Sequence, residues 1–168
     1  MGLCLLGFPL GGYLGYFVFG SVDGIMPAVL GGALTGAGIG LAQWVLLRRY
    51  LGVGPEWIAA TGVALGLGLA IGAAVVGYET TASALAIMGA MSGAFVGLAQ
   101  GLLLRGRFPL WYAWIVAMPV LWAAGWVVTE AAGINVEEQF TVFGASGTVV
   151  FAALSAVLLL AGTRARSA

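Results

Sequence analysis

The chain has 168 residues, 62% hydrophobic and only 7% charged, with six Arg balanced by six Asp or Glu, no Lys and no His. A water-soluble domain carries about a quarter charged residues, so this composition belongs in a membrane, and zero net charge without a basic cluster excludes a nucleic-acid-binding surface. One cysteine, Cys4, excludes an intrachain disulfide and a cysteine-type zinc site.

A helix that crosses the hydrocarbon needs about 20 mostly apolar residues, and six stretches qualify in chain order: 1–19, 28–47, 57–78, 83–104, 110–128 and 141–162. The first has no basic n-region and places aromatics where a signal peptide needs small residues, so it reads as a span rather than a leader. Met1-Gly2-Leu3-Cys4 lacks the Ser or Thr of a myristoylation signal, and Cys4 reads as a small packing residue. The breaks at 21–24, 52–56, 79–81, 106–109 and 129–140 hold turn formers or charges. The predicted fold is therefore all-α, a polytopic membrane protein of six transmembrane helices forming one transmembrane domain.

Arg48 and Arg49 follow the second span, Arg105 and Arg107 the fourth, and Arg164 and Arg166 the sixth, so all six arginines fall on one side. The positive-inside rule makes that side cytoplasmic, with both termini there, and the expected location is a bacterial cytoplasmic membrane. Asp23, Glu79, Glu130, Glu137 and Glu138 fall on the other side, leaving Glu56 alone among the arginines. Glu130, Glu137 and Glu138 read as a solvated acidic loop.

The second span is repeated in the fourth at an offset of 57 residues: Gly32, Gly36, Gly40, Gln43, Leu47 and Arg48 recur as Gly89, Gly93, Gly97, Gln100, Leu104 and Arg105. The same offset carries Gly11, Gly15 and Gly20 onto Gly68, Gly72 and Gly77, and Trp57 onto Trp114. One offset serving odd and even spans implies duplicated hairpins, at about 1–50, 51–107 and 108–168, related by an axis along the membrane normal. The third copy is degenerate: the sixth span keeps Gly144 and Gly147 but has no glutamine, and the long 129–140 loop breaks the register. Met1 aligns with Ile58, so the first helix is expected to be short at its cytoplasmic end, or the native chain to begin upstream.

The segment G-x-x-x-G-x-x-Q-W-x-x-L-R-R, here Gly36, Gly40, Gln43, Trp44, Leu47, Arg48 and Arg49, leads into a Trp-initiated glycine-rich span. It resembles a recurring pattern in uncharacterised bacterial multispanning proteins built from repeated hairpins. The resemblance implies that architecture and no activity.

Glycines recur every four residues, as in Gly7, Gly11 and Gly15 or Gly89, Gly93, Gly97 and Gly101, and such rows let helices approach closely. Gly36, Gly40, Gly93 and Gly97 are the central helix-packing candidates, facing a neighbouring helix or a partner subunit. Gln43 and Gln100 share the glycine face about 7 Å below the arginines, where each carboxamide should clamp another helix or contact a solute. Trp57, Trp111 and Trp114 are expected as cytoplasmic interfacial anchors, and Trp122 and Trp126 as part of an outer aromatic belt. Pro119 should kink the fifth span.

Gly144-Ala145-Ser146-Gly147 matches the G-x-S-G of rhomboid proteases, but a chain without histidine has no base for that serine and no H-E-x-x-H site. No metal or other cofactor is implied. Ion-coupled transport keeps ionisable residues within spans, whereas here they map to loops and helix ends. The preferred expectation is a non-catalytic accessory or stabilising subunit that packs against other integral membrane subunits, or self-associates, amid membrane lipids. The alternative is a binding or transport component for a small neutral or lipid-like solute, similar in size and span number to the substrate-binding components of vitamin transporters. The two separate on whether the helices enclose a solid core or a cavity near the glutamines.

Overall fold

The computed structural model describes residues 2–134, 136 and 140–167, with side chains described for 6–134, 136, 140–162 and 164. Glu137 and Glu138 and the side chains of Cys4 and Arg166 lie outside the described set. Six helices follow one another: α1 Gly2–Phe19, α2 Ile25–Leu51, α3 Glu56–Val75, α4 Ala82–Leu104, α5 Trp111–Ala131 and α6 Ala145–Ser167. There is no strand among the described residues. An apolar chain that must satisfy its backbone without water has few alternatives to the helix. Five helices are long and apolar enough to cross a membrane, while the described apolar stretch of the first, Leu6–Phe19, is shorter. The chain is a membrane protein by this architecture.

Each of α1 to α5 stops on a glycine in the left-handed region: Gly20, Gly52, Gly77, Gly106 and Gly133, with φ between 62° and 78°. A β-carbon there would crowd the following carbonyl, so these positions end a helix where apolar sequence alone would let it run on. Several boundaries differ from the expected spans: α2 runs on to Leu51 and α5 to Ala131, while the third span closes early and the sixth opens late. The third span closes at Val75, because Gly77 and Tyr78 both turn left-handed and Tyr78 N–H returns to the Ala73 carbonyl at 2.8 Å. The sixth helix begins at Ala145 instead of residue 141, since 141–144 take another role described below. Pro119 sits inside α5, which runs unbroken through it.

Consecutive helices pack antiparallel, and α1 also packs against α6, so the six close into a ring in chain order. The α2–α3 and α4–α5 joints are the most extensive and α1–α6 the slightest. Glycines set the close joints. A β-carbon on Gly36 would lie 2.6 Å from the Thr61 carbonyl oxygen and 2.9 Å from Gly62 Cα, and one on Gly40 3.0 Å from Ile58 Cα. Gly97 faces Met118, whose Cβ would be 2.6 Å away, and Gly93 faces the backbone of the same Met118. Gly11 meets Thr35, and Gly68 meets Ser92, 57 residues on. The glycine rows therefore face neighbouring helices of the same chain, where missing side chains become backbone contact. Large apolar side chains such as Leu10, Phe17, Val63, Val116 and Val157 point outward, as hydrocarbon requires.

Up-and-down packing gathers Arg48, Arg49, Glu56, Arg105, Arg107 and Arg164 at one end of the ring and Asp23, Glu79 and Glu130 at the other. These are called below the arginine end and the acidic end.

Candidate functional site

Between the helices, toward the arginine end, runs a chain of buried polar side chains. Trp57 Nε1 donates to Gln43 Oε1 at 3.1 Å, and Trp114 Nε1 donates to Gln100 Oε1 at 3.1 Å. Each tryptophan lies 14 residues after its glutamine, so the same bond is made twice across two successive joints. Gln100 Nε2 then links the two, donating to Gln43 Oε1 at 2.9 Å and to Thr61 Oγ1 at 3.0 Å. Thr61 passes its own proton to the Trp57 carbonyl at 2.7 Å. Gln100 is fully buried and Gln43 is 8% exposed. Glycines make this meeting possible, because Gly40 and Gly97, one turn before the glutamines, bring α3 and α5 close enough for an indole to reach a carboxamide.

The acidic half of the interior is filled differently. Residues 141–143 are buried without being helical, and they dip between the helices from the acidic end. Thr35 Oγ1 bonds the Gly11 carbonyl at 3.0 Å and the Thr141 hydroxyl at 2.7 Å, while Gly144 N–H donates to Thr129 Oγ1 at 3.1 Å. Irregular backbone is tolerated at such depth only when protein surrounds it and satisfies its polar groups. Phe143 caps the segment and stacks on Phe8 with centroids 5.0 Å apart. It also lies edge-on to Trp122 at 5.3 Å and packs on Phe151 at 5.8 Å. This aromatic cluster closes the centre of the ring.

On the arginine side of that cluster lies an open-sided cavity of about 690 Å³, whose lining includes the exposed Tyr50, Val149 and Leu160. Phe8 and Phe151 form its floor. One wall is α6, with Ala152, Ser155, Ala156 and Leu159; another is the end of α2, with Gln43, Leu46 and Leu47; and Trp114 and Phe108 border it from the start of α5. Tyr50, which is exposed, stands toward the arginine end. The volume falls in the range of roughly 300–1,000 Å³ typical of small-molecule sites, and so does the chemistry of the lining, apolar with few polar groups. Among the described residues, no Asp, Glu or Arg lines it. The Ser155 hydroxyl is turned back to the Ala152 carbonyl of its own helix at 3.2 Å.

The candidates named from sequence divide by position. Gly36, Gly40, Gly93 and Gly97 lie in helix joints, Gln100 in the centre of the polar chain, and Gln43 both in that chain and on the cavity wall. Trp57 and Trp114 are not interfacial anchors: they are 0% and 3% exposed and their indoles point inward to glutamines. A buried carboxamide acceptor holds the indole N–H more strongly than the headgroup region would, because it also solves the glutamine's own desolvation. Trp122 and Trp126 are likewise core residues, each 1% exposed, and form no outer belt. Trp111 stays half-buried near the arginine end, with the Arg105 guanidinium 5.7 Å from its ring, and Arg48 lies 4.7 Å from the ring of Trp44. Ser146 of the G-x-S-G sequence has a buried hydroxyl without a hydrogen-bond partner among the described residues.

Sequence reasoning raised a cavity near the glutamines as the alternative but did not find its α6 wall. The available signal was the sixth span, with small residues and no glutamine, unlike the second and fourth spans with Gln43 and Gln100. Comparison with protein-family models, with curated proteins and with solved structures returns no significant match.

Proposed function

We propose that this protein binds a small apolar or lipid-like solute in the cavity at its arginine end. In this reading the ring is built from three related hairpins, the third diverged to make room for the solute. The protein sits in a bacterial cytoplasmic membrane with that end inward, following the clustering of the arginines. The observation that carries the reading is the cavity itself: about 690 Å³, walled by alanines, leucines and aromatics, with Gln43 and Ser155 as its internal polar groups. A ligand matched to such a lining buries hydrocarbon and offers at most a few polar atoms. The accessory-subunit reading rested on the lack of catalytic groups, on abundant close-packing surface and on minimal loops; the glycines named above pack against the chain's own helices.

The test is organic extraction and mass spectrometry of the purified full chain beside Ala152→Phe, which places a ring in the cavity. A species near one equivalent in the native protein, reduced about tenfold in the variant at unchanged helicity, is the expected result. Equal content in both sinks the reading.

A further inference from the structure

The hydrogen-bond chain fixes which way each carboxamide faces. An indole N–H can only donate, so the atom of Gln43 that meets Trp57 and the atom of Gln100 that meets Trp114 must both be oxygens. Gln100 Nε2 then spends its two protons on Gln43 Oε1 and Thr61 Oγ1. Gln43 Oε1 therefore accepts two bonds, from Trp57 and from Gln100. Its Nε2 makes none among the described residues. Gln43 as a whole is more than nine-tenths buried, and it is one of the residues that line the cavity, so the cavity is the space open to this nitrogen.

The internal repeat gives the same direction independently. Gln100 on α4 reaches one step around the ring to Gln43 on α2. The next step from Gln43 leads to α6, where the third copy holds no glutamine and the cavity opens instead. The chain of donors ends facing the empty space. It is also polarised toward that space, because two N–H groups pulling on Gln43 Oε1 make the Nε2 protons better donors, by about 10–30% per bond.

We infer that Gln43 Nε2 is the recognition donor of the cavity, and that the ligand is an apolar chain carrying an uncharged carbonyl, an ester or ketone, which accepts from it. This rests on the cavity reading above. A hydrocarbon without an acceptor would leave both Nε2 protons unpaired against apolar atoms, whereas a carbonyl at that depth satisfies one. Either an acyl ester of a membrane lipid or a free carbonyl-bearing metabolite presents this chemistry.

The experiment measures binding of methyl palmitate and of octadecane, both tritiated, to the full chain in detergent, with specific binding taken as that lost in Ala152→Phe. Methyl palmitate is expected to bind about 3- to 10-fold tighter, the worth of one net hydrogen bond. With ¹³C at its carbonyl, its infrared band should move to lower wavenumber in the native protein. Gln43→Leu should bring the two affinities together and abolish the band shift. Specific binding of both molecules at equal affinity, with an unshifted band, overturns the role of Gln43 and leaves the cavity reading standing. No specific binding of either overturns both. If Gln43→Leu does not fold, the ester-to-alkane ratio and the band in the native protein still decide. Competition by phosphatidylglycerol vesicles at micromolar lipid points to the membrane as the source of the ester, and its failure to a free metabolite.

Discussion

The joints between α2 and α3 and between α4 and α5 are made from the same parts, and the joint between α6 and α1 is not. In the first two, glycines bring the backbones into contact and a tryptophan 14 residues after a glutamine closes a buried hydrogen bond. At the third, contact is slight, alanines and a serine replace the glutamine face, and about 690 Å³ is left unfilled. Where two joints hold a ring closed, a looser third joint leaves room beside it. That room lies at one end. At the acidic end the buried 141–143 segment and its aromatic contacts fill the interior, so the space lies toward the arginines.

The contrast is broken most forcefully by adding bulk. Gly36→Val places atoms where even a β-carbon would sit 2.6 Å from a carbonyl oxygen in the α2–α3 joint, and should cost about 3 kcal/mol. Ala152→Val adds bulk on the cavity wall and should change stability by less than about 0.5 kcal/mol, or raise it slightly, because there is room to receive it. Unfolding in SDS followed by far-UV circular dichroism measures both. Similar losses in the two variants would mean that the third joint is as tightly filled as the others.

The next largest effect comes from the polar chain. Gln100→Leu removes three hydrogen bonds and leaves the Trp114 N–H buried without a partner, which should cost about 2 kcal/mol. Trp114→Phe, removing the donor instead, should cost less, because Gln100 keeps its bonds to Gln43 and Thr61. A smaller loss in Gln100→Leu than in Trp114→Phe would show that the glutamine is not the hub of the network.

Much of this was legible in the sequence, for identifiable reasons. Hydropathy and turn residues give all six helices, because a spanning segment must be continuous and apolar, and glycine marks nearly every stop. The offset that aligns Gln43 with Gln100 and Trp57 with Trp114 contained both glutamine–tryptophan pairs, but not Thr61, which it carries onto Met118. What it lacked was the partner: an interfacial position and a buried hydrogen bond both favour tryptophan near a helix start, and only the neighbouring helix decides between them. The 141–144 segment was read as helix because its composition is apolar. It is apolar because it is buried, and Thr141 and Gly144 find side-chain partners on α2 and α5 that no local pattern reveals. The cavity depended on the absence of side chains in a copy whose register is broken by an insertion, which periodicity cannot locate.

A third comparison concerns the acidic half. Thr35→Val keeps the shape of the side chain but loses the bonds to the Gly11 carbonyl and to Thr141, and should cost about 1 kcal/mol. Ser92 occupies the corresponding place one repeat later and has a buried hydroxyl without a partner, so Ser92→Ala should be neutral or slightly stabilising. Equal losses would show that both hydroxyls anchor their helices alike, and that the 141–144 segment is not what distinguishes the two positions.

The smallest expected effect tests whether α6 retains any of the glutamine's structural duty. Ser155 is the polar side chain that α6 presents to the cavity, but its hydroxyl bonds the Ala152 carbonyl, which lies in its own helix. Such a local bond adds nothing across the ring, and replacing it costs little because the backbone carbonyl already has a helical partner within reach. Ser155→Ala should therefore change SDS-unfolding stability by no more than about 0.5 kcal/mol, a quarter or less of the Gln100→Leu effect. A loss comparable to Gln100→Leu would require Ser155 to bridge to another helix, and α6 would then be helping to hold the ring together. Neutrality places the stability of the bundle in the two glycine and tryptophan joints, with the α6–α1 joint contributing little.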